Sequence, residues 1–235
     1  MKSGAVRPPL AVYAGGVPEI LEAASALAIH DPGAALDSEP WLGEAIDADA
    51  AAGRFVVWGR STVIDENTRE PVLSRELFAA LHERARLDAQ WPVGNAGLLH
   101  VYGYLLSPVM TPFGRKHERW TRGELAALCG LPSSSFIPWA SRRTLLERVT
   151  AAGQAVLDRH LCRTQDLGDV IAHIALTRTH GAAALAYALQ TPTTGRRIVT
   201  MFPVADAAAI LADIDSTAQR PRWNAILPGA GLTQT

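Results

Sequence analysis

Three side chains able to exchange or share a proton, His100, Tyr102 and Tyr104, stand at alternate positions of the apolar run Leu98–Leu106. Imidazole changes protonation near neutral pH, and a phenol beside it supplies a hydrogen-bond donor or a weak acid. The run breaks at Pro108 and Pro112 and enters a basic cluster of Arg115, Lys116, His117, Arg119 and Arg122, opposed there only by Glu118. Guanidinium forks grip carboxylate and phosphate in a geometry lysine cannot match. Read together, the two segments point to acid–base chemistry on a small carboxylate or phosphate compound, an amino-acid-like one included. His100 is then the acid or base, Tyr102 or Tyr104 donates to the developing charge, and Arg115 and Arg119 anchor the anion. Asn95, just ahead of the run, joins the substrate-binding set.

Lys116 shares its residue type with Lys2 alone. Neighbouring cations depress an ammonium pKa, the condition under which lysine forms an imine. It is therefore the internal residue suited to a Schiff base, with a substrate carbonyl or with pyridoxal phosphate. The plainer expectation is a solvated basic face and no cofactor. Cations at a helix start oppose the macrodipole, and a bound anion would relieve that cost.

A second set lies downstream. In "ALTRTHGAA", Arg178 and His180 share strand parity, and in "GRRIVTMFP" Arg196 shares a side with Thr200. If these strands join the first in one sheet, His100, Tyr102, Tyr104, Arg178, His180 and Arg196 converge on a polar face, with His180 a second acid–base group and Arg178 a second anchor. Arg222 and Trp223 are placed to close such a pocket.

The elements that must position these groups follow from period and punctuation. Alternation predicts a strand over Leu98–Leu106, with side chains recurring on one face every ~6.8 Å, and a helix that sets His100 and Tyr104 one turn apart is the alternative. Upstream are a short strand, a Gly15–Gly16 turn, and a helix with Pro18 in its first turn. His30–Pro40 reads as loop, Trp41–Ala52 as helix, and "RFVVWG" as strand. "STVIDENTREPVL" reads as a hairpin with "DENT" at its tip. Ser74 caps a helix to about Leu87. "TRGE" at Thr121–Glu124 is a capping-box pattern for a helix stopped at Gly130. Helix is expected from Ser141 to about His160, then three extended runs with short connections, and a last helix capped by Asp206. The whole is an α+β protein: an antiparallel β-sheet with helices packed mainly on one face. One compact domain over 1–235 is favoured, with a boundary near 131–140 as the alternative.

Composition narrows the function classes. In 235 residues, 48% hydrophobic and 19% charged, there is material for a sizeable core and no signature of disorder. A formal net charge of −1 gives no global field toward nucleic acid or anionic lipid. DNA reading, faintly suggested by "ELAALCGLPSSSF", does not fit. No HxH, HExxH or CxxC spacing calls for a metal, and Gly15–Gly16 lacks a complete phosphate-loop pattern. Ser133–Ser135 lack a nucleophile-elbow context and read as loop. Cys129 and Cys162 read as reduced thiols. No secretory core and no run approaching ~18 apolar residues is present, so the reading is cytoplasmic with no membrane. Arginine and alanine richness suits a GC-rich, bacterial coding bias. The expected function is a metal-independent hydrolase or lyase on a small anionic metabolite. An RNA- or nucleotide-binding protein, or a metal-free ribonuclease, is the alternative. A non-catalytic partner subunit comes third, and a homo-oligomer fits any of these.

Overall fold

The computed structural model describes residues 17–228, so the expected amino-terminal strand and the Gly15–Gly16 turn lie outside the described residues. Helix α1 (Val17–His30) is followed at once by α2 (Pro32–Asp37), where the sequence reads as loop. Asp31 accepts a hydrogen bond from the Ala34 amide, and Pro32 takes a first-turn position that needs no amide of its own. Helix α3 (Gly43–Ala51) stops short of Gly53, whose φ of +65° suits a residue without a side chain. The run Arg54–Val57, expected as strand, is a 3-10 turn.

Strand β1 (Arg60–Thr62) leads into the expected hairpin, closed by the Val72 amide on the Val63 carbonyl and the Asp65 amide on the Glu70 carbonyl. Ser74 caps α4 (Arg75–Ala85) through the Leu77 amide. Strand β2 (Val93–Asn95) pairs antiparallel with β1.

Leu98–Leu106 is not the expected strand but takes the helical alternative. Leu98–Gly103 is a π-helical turn that continues into α5 (Tyr104–Leu106), and every residue from Leu98 to Leu106 is buried. An element surrounded by protein has no solvent face, so neither a period of two nor one of 3.6 is imposed on its sequence. The alternation of His100, Tyr102 and Tyr104 therefore carries no strand information. A short hairpin of β3 (Met110–Thr111) and β4 (Gly114–Arg115) follows, with Pro112 and Phe113 at its tip.

Two short helices complete this region, α6 (Glu118–Thr121) and α7 (Glu124–Leu128). The expected capping box does not form: Thr121 belongs to α6 and its hydroxyl bonds the His117 carbonyl, while Gly123 occupies the cap of α7. The proline-rich stretch after Gly130 holds a 3-10 turn at Ser133–Phe136. Arg148 donates to its Ile137 and Pro138 carbonyls at 3.1 and 3.0 Å.

Helix α8 (Leu145–Arg159) is capped by Thr144, later than the expected Ser141. Strands β5 (Leu161–Asp166), β6 (Ile171–Leu176), β7 (Ala183–Gln190) and β8 (Arg197–Val204) form an antiparallel sheet in chain order. Its last three strands are the three extended runs of the sequence. β5 escapes pattern reading because an edge strand with mostly exposed side chains need not alternate. Helix α9 (Ala207–Ser216) is capped by Asp206 as expected, and β9 (Ala225–Ile226) adds to β1. With 43% helix and 21% strand, in antiparallel sheets with helices packed around them, the fold is α+β.

Register sorts the two faces of the large sheet. Tyr187 opposes Thr200 and Leu185 opposes Phe202, so these four share a face. Ala184, Ala186 and Met201 take the other, against which α8 packs. Small side chains there, and Gly153 on the helix, permit close approach: a Cβ on Gly153 would sit 3.2 Å from Ile198 Cδ1. A tighter constraint lies at Gly97, where a Cβ would come within 2.6 Å of Trp58 Cγ in the core. Gly97→Ala is expected to cost about 2 kcal/mol by overpacking. The check is a lower urea midpoint with an unchanged slope.

Candidate functional site

Thr200 and Phe202 on β8, Arg119 on α6 and Tyr104 on α5 meet around a recess of about 590 Å³. His100, Lys116, Asp65, Glu66, Phe113, Trp223 and Asn224 also line it. The volume falls within the range of small-molecule sites.

The basic cluster separates once its partners are known. Arg115 pairs with Glu22 at 3.1 Å, Arg122 with Glu118 at 2.9 Å, and Lys116 with Asp65. Arg119 forms no ion pair among the described residues. Its Nη1 donates to the Thr200 hydroxyl at 3.2 Å, and its guanidinium lies 5.1, 5.6 and 5.8 Å from the ring centres of Tyr104, Phe202 and Trp120. Aromatic faces hold a cation without using its N–H groups. Burial lowers the Arg119 pKa, with the Tyr104 phenol and Asp65 opposing. A guanidinium so placed remains charged at neutral pH, with donors left for an anion.

Tyr104 sits at the centre of this cluster. Its ring centre is 4.8 Å from that of His100, and the Lys116 ammonium lies 5.2 Å from it. Burial pushes its phenol up to about 12, against the pull of Arg119, so it remains a proton donor at neutral pH. His100 is buried, and its Nε2 lies 3.0 Å from the Ser61 hydroxyl. Its pKa is held well below 6.5 by burial first, then by the Arg119 and Lys116 cations. The imidazole is therefore neutral at pH near 7, a proton acceptor rather than an acid.

Two carboxylates on the tip of the β1 hairpin, absent from the sequence expectation, complete the recess. Desolvation alone would raise Asp65, but the Lys116 ammonium and the Thr68 and Asn67 amides outweigh it and hold the carboxyl below its ordinary value. Glu66 is raised, by burial first and then by Asp65, and it accepts a hydrogen bond from the Trp223 amide. "DENT" looks like a solvated turn in sequence; only the fold carries it against Lys116 and Trp223. For Lys116, burial lowers the ammonium pKa and Arg119 adds to this, while Asp65 opposes it. The ion pair makes it a fixed charge rather than a free amine.

The remaining expected site residues lie elsewhere. Tyr102 points away from the recess, fully buried, and its hydroxyl donates to Asp49. Asn95 bridges the Phe55 carbonyl at 3.0 Å and the Leu98 amide at 3.1 Å, so it caps the central helix. Arg196 ties to Asp158 and to the Leu157 carbonyl at 3.3 Å, at the end of α8. β6 ends at Leu176, so Arg178 and His180 do not share a strand face; they are exposed in the following connection, where His180 Nδ1 meets the Thr179 hydroxyl. Arg222 grips Asp213 and Thr217 beside α9, while its neighbours Trp223 and Asn224 reach the recess. The expected union of the first segment with the β-meander in one sheet is replaced by a helix end meeting the β8 face.

Among the described residues, no group of three or more His, Cys, Asp or Glu is arranged to hold a metal ion, and no helix is long and apolar enough to cross a membrane. Known protein families, curated proteins and solved structures give no match to this chain.

Proposed function

We propose that the recess binds a small metabolite through a carboxylate or phosphate seated on Arg119, and acts on it by acid–base chemistry without a metal, as a hydrolase or lyase. The observation that carries this reading is the charge state of one side chain: Arg119 is a half-buried cation with no carboxylate partner among the described residues, facing a cavity. A cation taken from water stabilises the fold poorly unless something pairs it, so a ligand anion is the natural complement. In this reading neutral His100 accepts a proton from the substrate, and Tyr104 donates a hydrogen bond to the charge that develops. The same imidazole then returns that proton to the leaving group. Lys116 and Asp65 fix the local field, and no cofactor is called for. The free thiols of Cys129 and Cys162 suit a cytoplasmic setting.

Arg119→Gln is expected to weaken binding of such an anion by roughly tenfold to a hundredfold, the range of a lost charge-assisted bond. Arg119→Lys should recover part of it, since the charge survives but the fork does not. Titration calorimetry with inorganic phosphate and short carboxylates reads this directly, alongside a melting curve showing that both variants fold. Anion affinity unchanged in Arg119→Gln removes the proposal. A nucleic-acid ligand would instead show steep loss of affinity with salt.

A further inference from the structure

Resting on the anion reading above, we propose that the ligand is a zwitterion with an apolar body: a carboxylate on Arg119, an ammonium on Glu66, and an aromatic or aliphatic group against Phe202, Trp223 and Phe113. The charges around the recess sort themselves into closed and open ones. Lys116 with Asp65, Arg122 with Glu118, and Arg115 with Glu22 are closed pairs. Asp206 is engaged by the Ala208 and Ala209 amides at the cap of α9. Arg119, Glu66 and Glu124 are left without an ion-pair partner among the described residues, and all three line the recess. A ligand carrying negative charge alone would satisfy Arg119 and be repelled by Glu66. One carrying both signs satisfies both.

The second observation is the recess wall. Phe202 and Trp223 stack edge to face with ring centres 5.7 Å apart, and both line the cavity beside Leu125 and Ile210. Across the opening, Phe113 at the tip of the β3–β4 hairpin leaves 79% of its surface to solvent. A phenyl ring held out over a cavity mouth gains by covering an apolar ligand group. About 590 Å³ leaves space for such a group beyond the charged head. Glu124 is a further carboxylate at the rim, but it stands on the first turn of α7, where free backbone amides already favour its charge. Glu66 is preferred because it accepts from the Trp223 amide, and Trp223 belongs to the apolar wall of the same recess.

The test uses three probes of one shape: L-phenylalanine, phenylpropanoate, which lacks the amine, and phenylethylamine, which lacks the carboxylate. Titration calorimetry on the whole protein at about pH 7 should give L-phenylalanine an affinity roughly tenfold above either analogue. Glu66→Gln, a substitution on an exposed turn, should bring L-phenylalanine down to the level of phenylpropanoate, while Glu124→Gln leaves the gap intact. Phe113→Ala should weaken L-phenylalanine severalfold with no change in melting temperature. If phenylpropanoate binds wild type as tightly as L-phenylalanine, in an Arg119-dependent way, the zwitterion inference falls and the anion reading stands. If Glu124→Gln and not Glu66→Gln closes the gap, the assignment of Glu66 falls. If neither carboxylate binds, or if phenylethylamine matches L-phenylalanine, both readings fall together.

Discussion

Asp49→Ala should destabilise the protein by about 3 kcal/mol or more, although Asp49 is remote from the recess. Its carboxylate is fully buried and accepts from the Tyr102 hydroxyl, from Thr144 at 2.7 Å and from Arg54 at 2.9 Å. Alanine would leave the Tyr102 and Thr144 hydroxyls without their acceptor, and a buried donor stripped of its partner bears the full cost of desolvation. The Arg54 side chain is 33% exposed, so water replaces most of what it loses. Tyr102→Phe should cost only about 1 kcal/mol, because the carboxylate keeps its other donors. Burial raises the Asp49 pKa, against the pull of Tyr102, Thr144 and Arg54. A raised carboxyl contributes stability that is complete below its unfolded value, near 3.8, and is lost as pH rises through the folded value. The deficit of Asp49→Ala should therefore widen in acid. Urea titrations at neutral and acid pH read both statements. A wild-type midpoint in Asp49→Ala would remove the network from the account of stability.

Acidification from about pH 7 to about pH 5.5 should itself destabilise the wild type, through His82 and His100, by about 1 kcal/mol for each ring that stays neutral. Burial holds both below the ordinary 6.5. His82 Nδ1 lies 2.8 Å from the Phe78 carbonyl, and its Nε2 accepts from the Asn95 amide at 3.2 Å. A proton on Nε2 would face that N–H and break the contact. His100 would become a buried cation facing the Arg119 and Lys116 cations. A depressed histidine contributes stability that is full above the unfolded value and is lost as pH falls toward the folded one, because the unfolded chain takes up protons that the fold refuses. His117 and His173, also lowered by burial, add in the same direction. Thermal melts across this window should show the decline, and His82→Gln or His100→Gln should each flatten it. A stability flat over the window in the wild type contradicts the neutral assignment of both rings.

Each of these expectations hangs on residues the sequence makes visible only in part. His100 and the 115–119 cations are conspicuous by type and spacing, and they do meet in one recess. That Arg119 is the member left open, while Arg115, Lys116 and Arg122 are closed, depends on Glu22, Asp65 and Glu118, and two of these are remote in the chain. Tyr102 is indistinguishable from Tyr104 in sequence. One finds Asp49 and the other the recess, because a buried helix directs adjacent aromatics to different neighbours.

Local physics settled the elements that own a face or an end. Ser74 and Asp206 cap the helices they were expected to cap, and the runs that became β6, β7 and β8 pair as neighbours because their connections are too short for anything but antiparallel return. The order of the elements likewise determined the α+β class, and composition an ample core. Tertiary structure alone decided the central segment Leu98–Leu106 and the partners of each charge. Burial on every side erases periodicity, and an ion pair between Lys116 and Asp65 is a fact about distance in space, which no local pattern in the chain encodes.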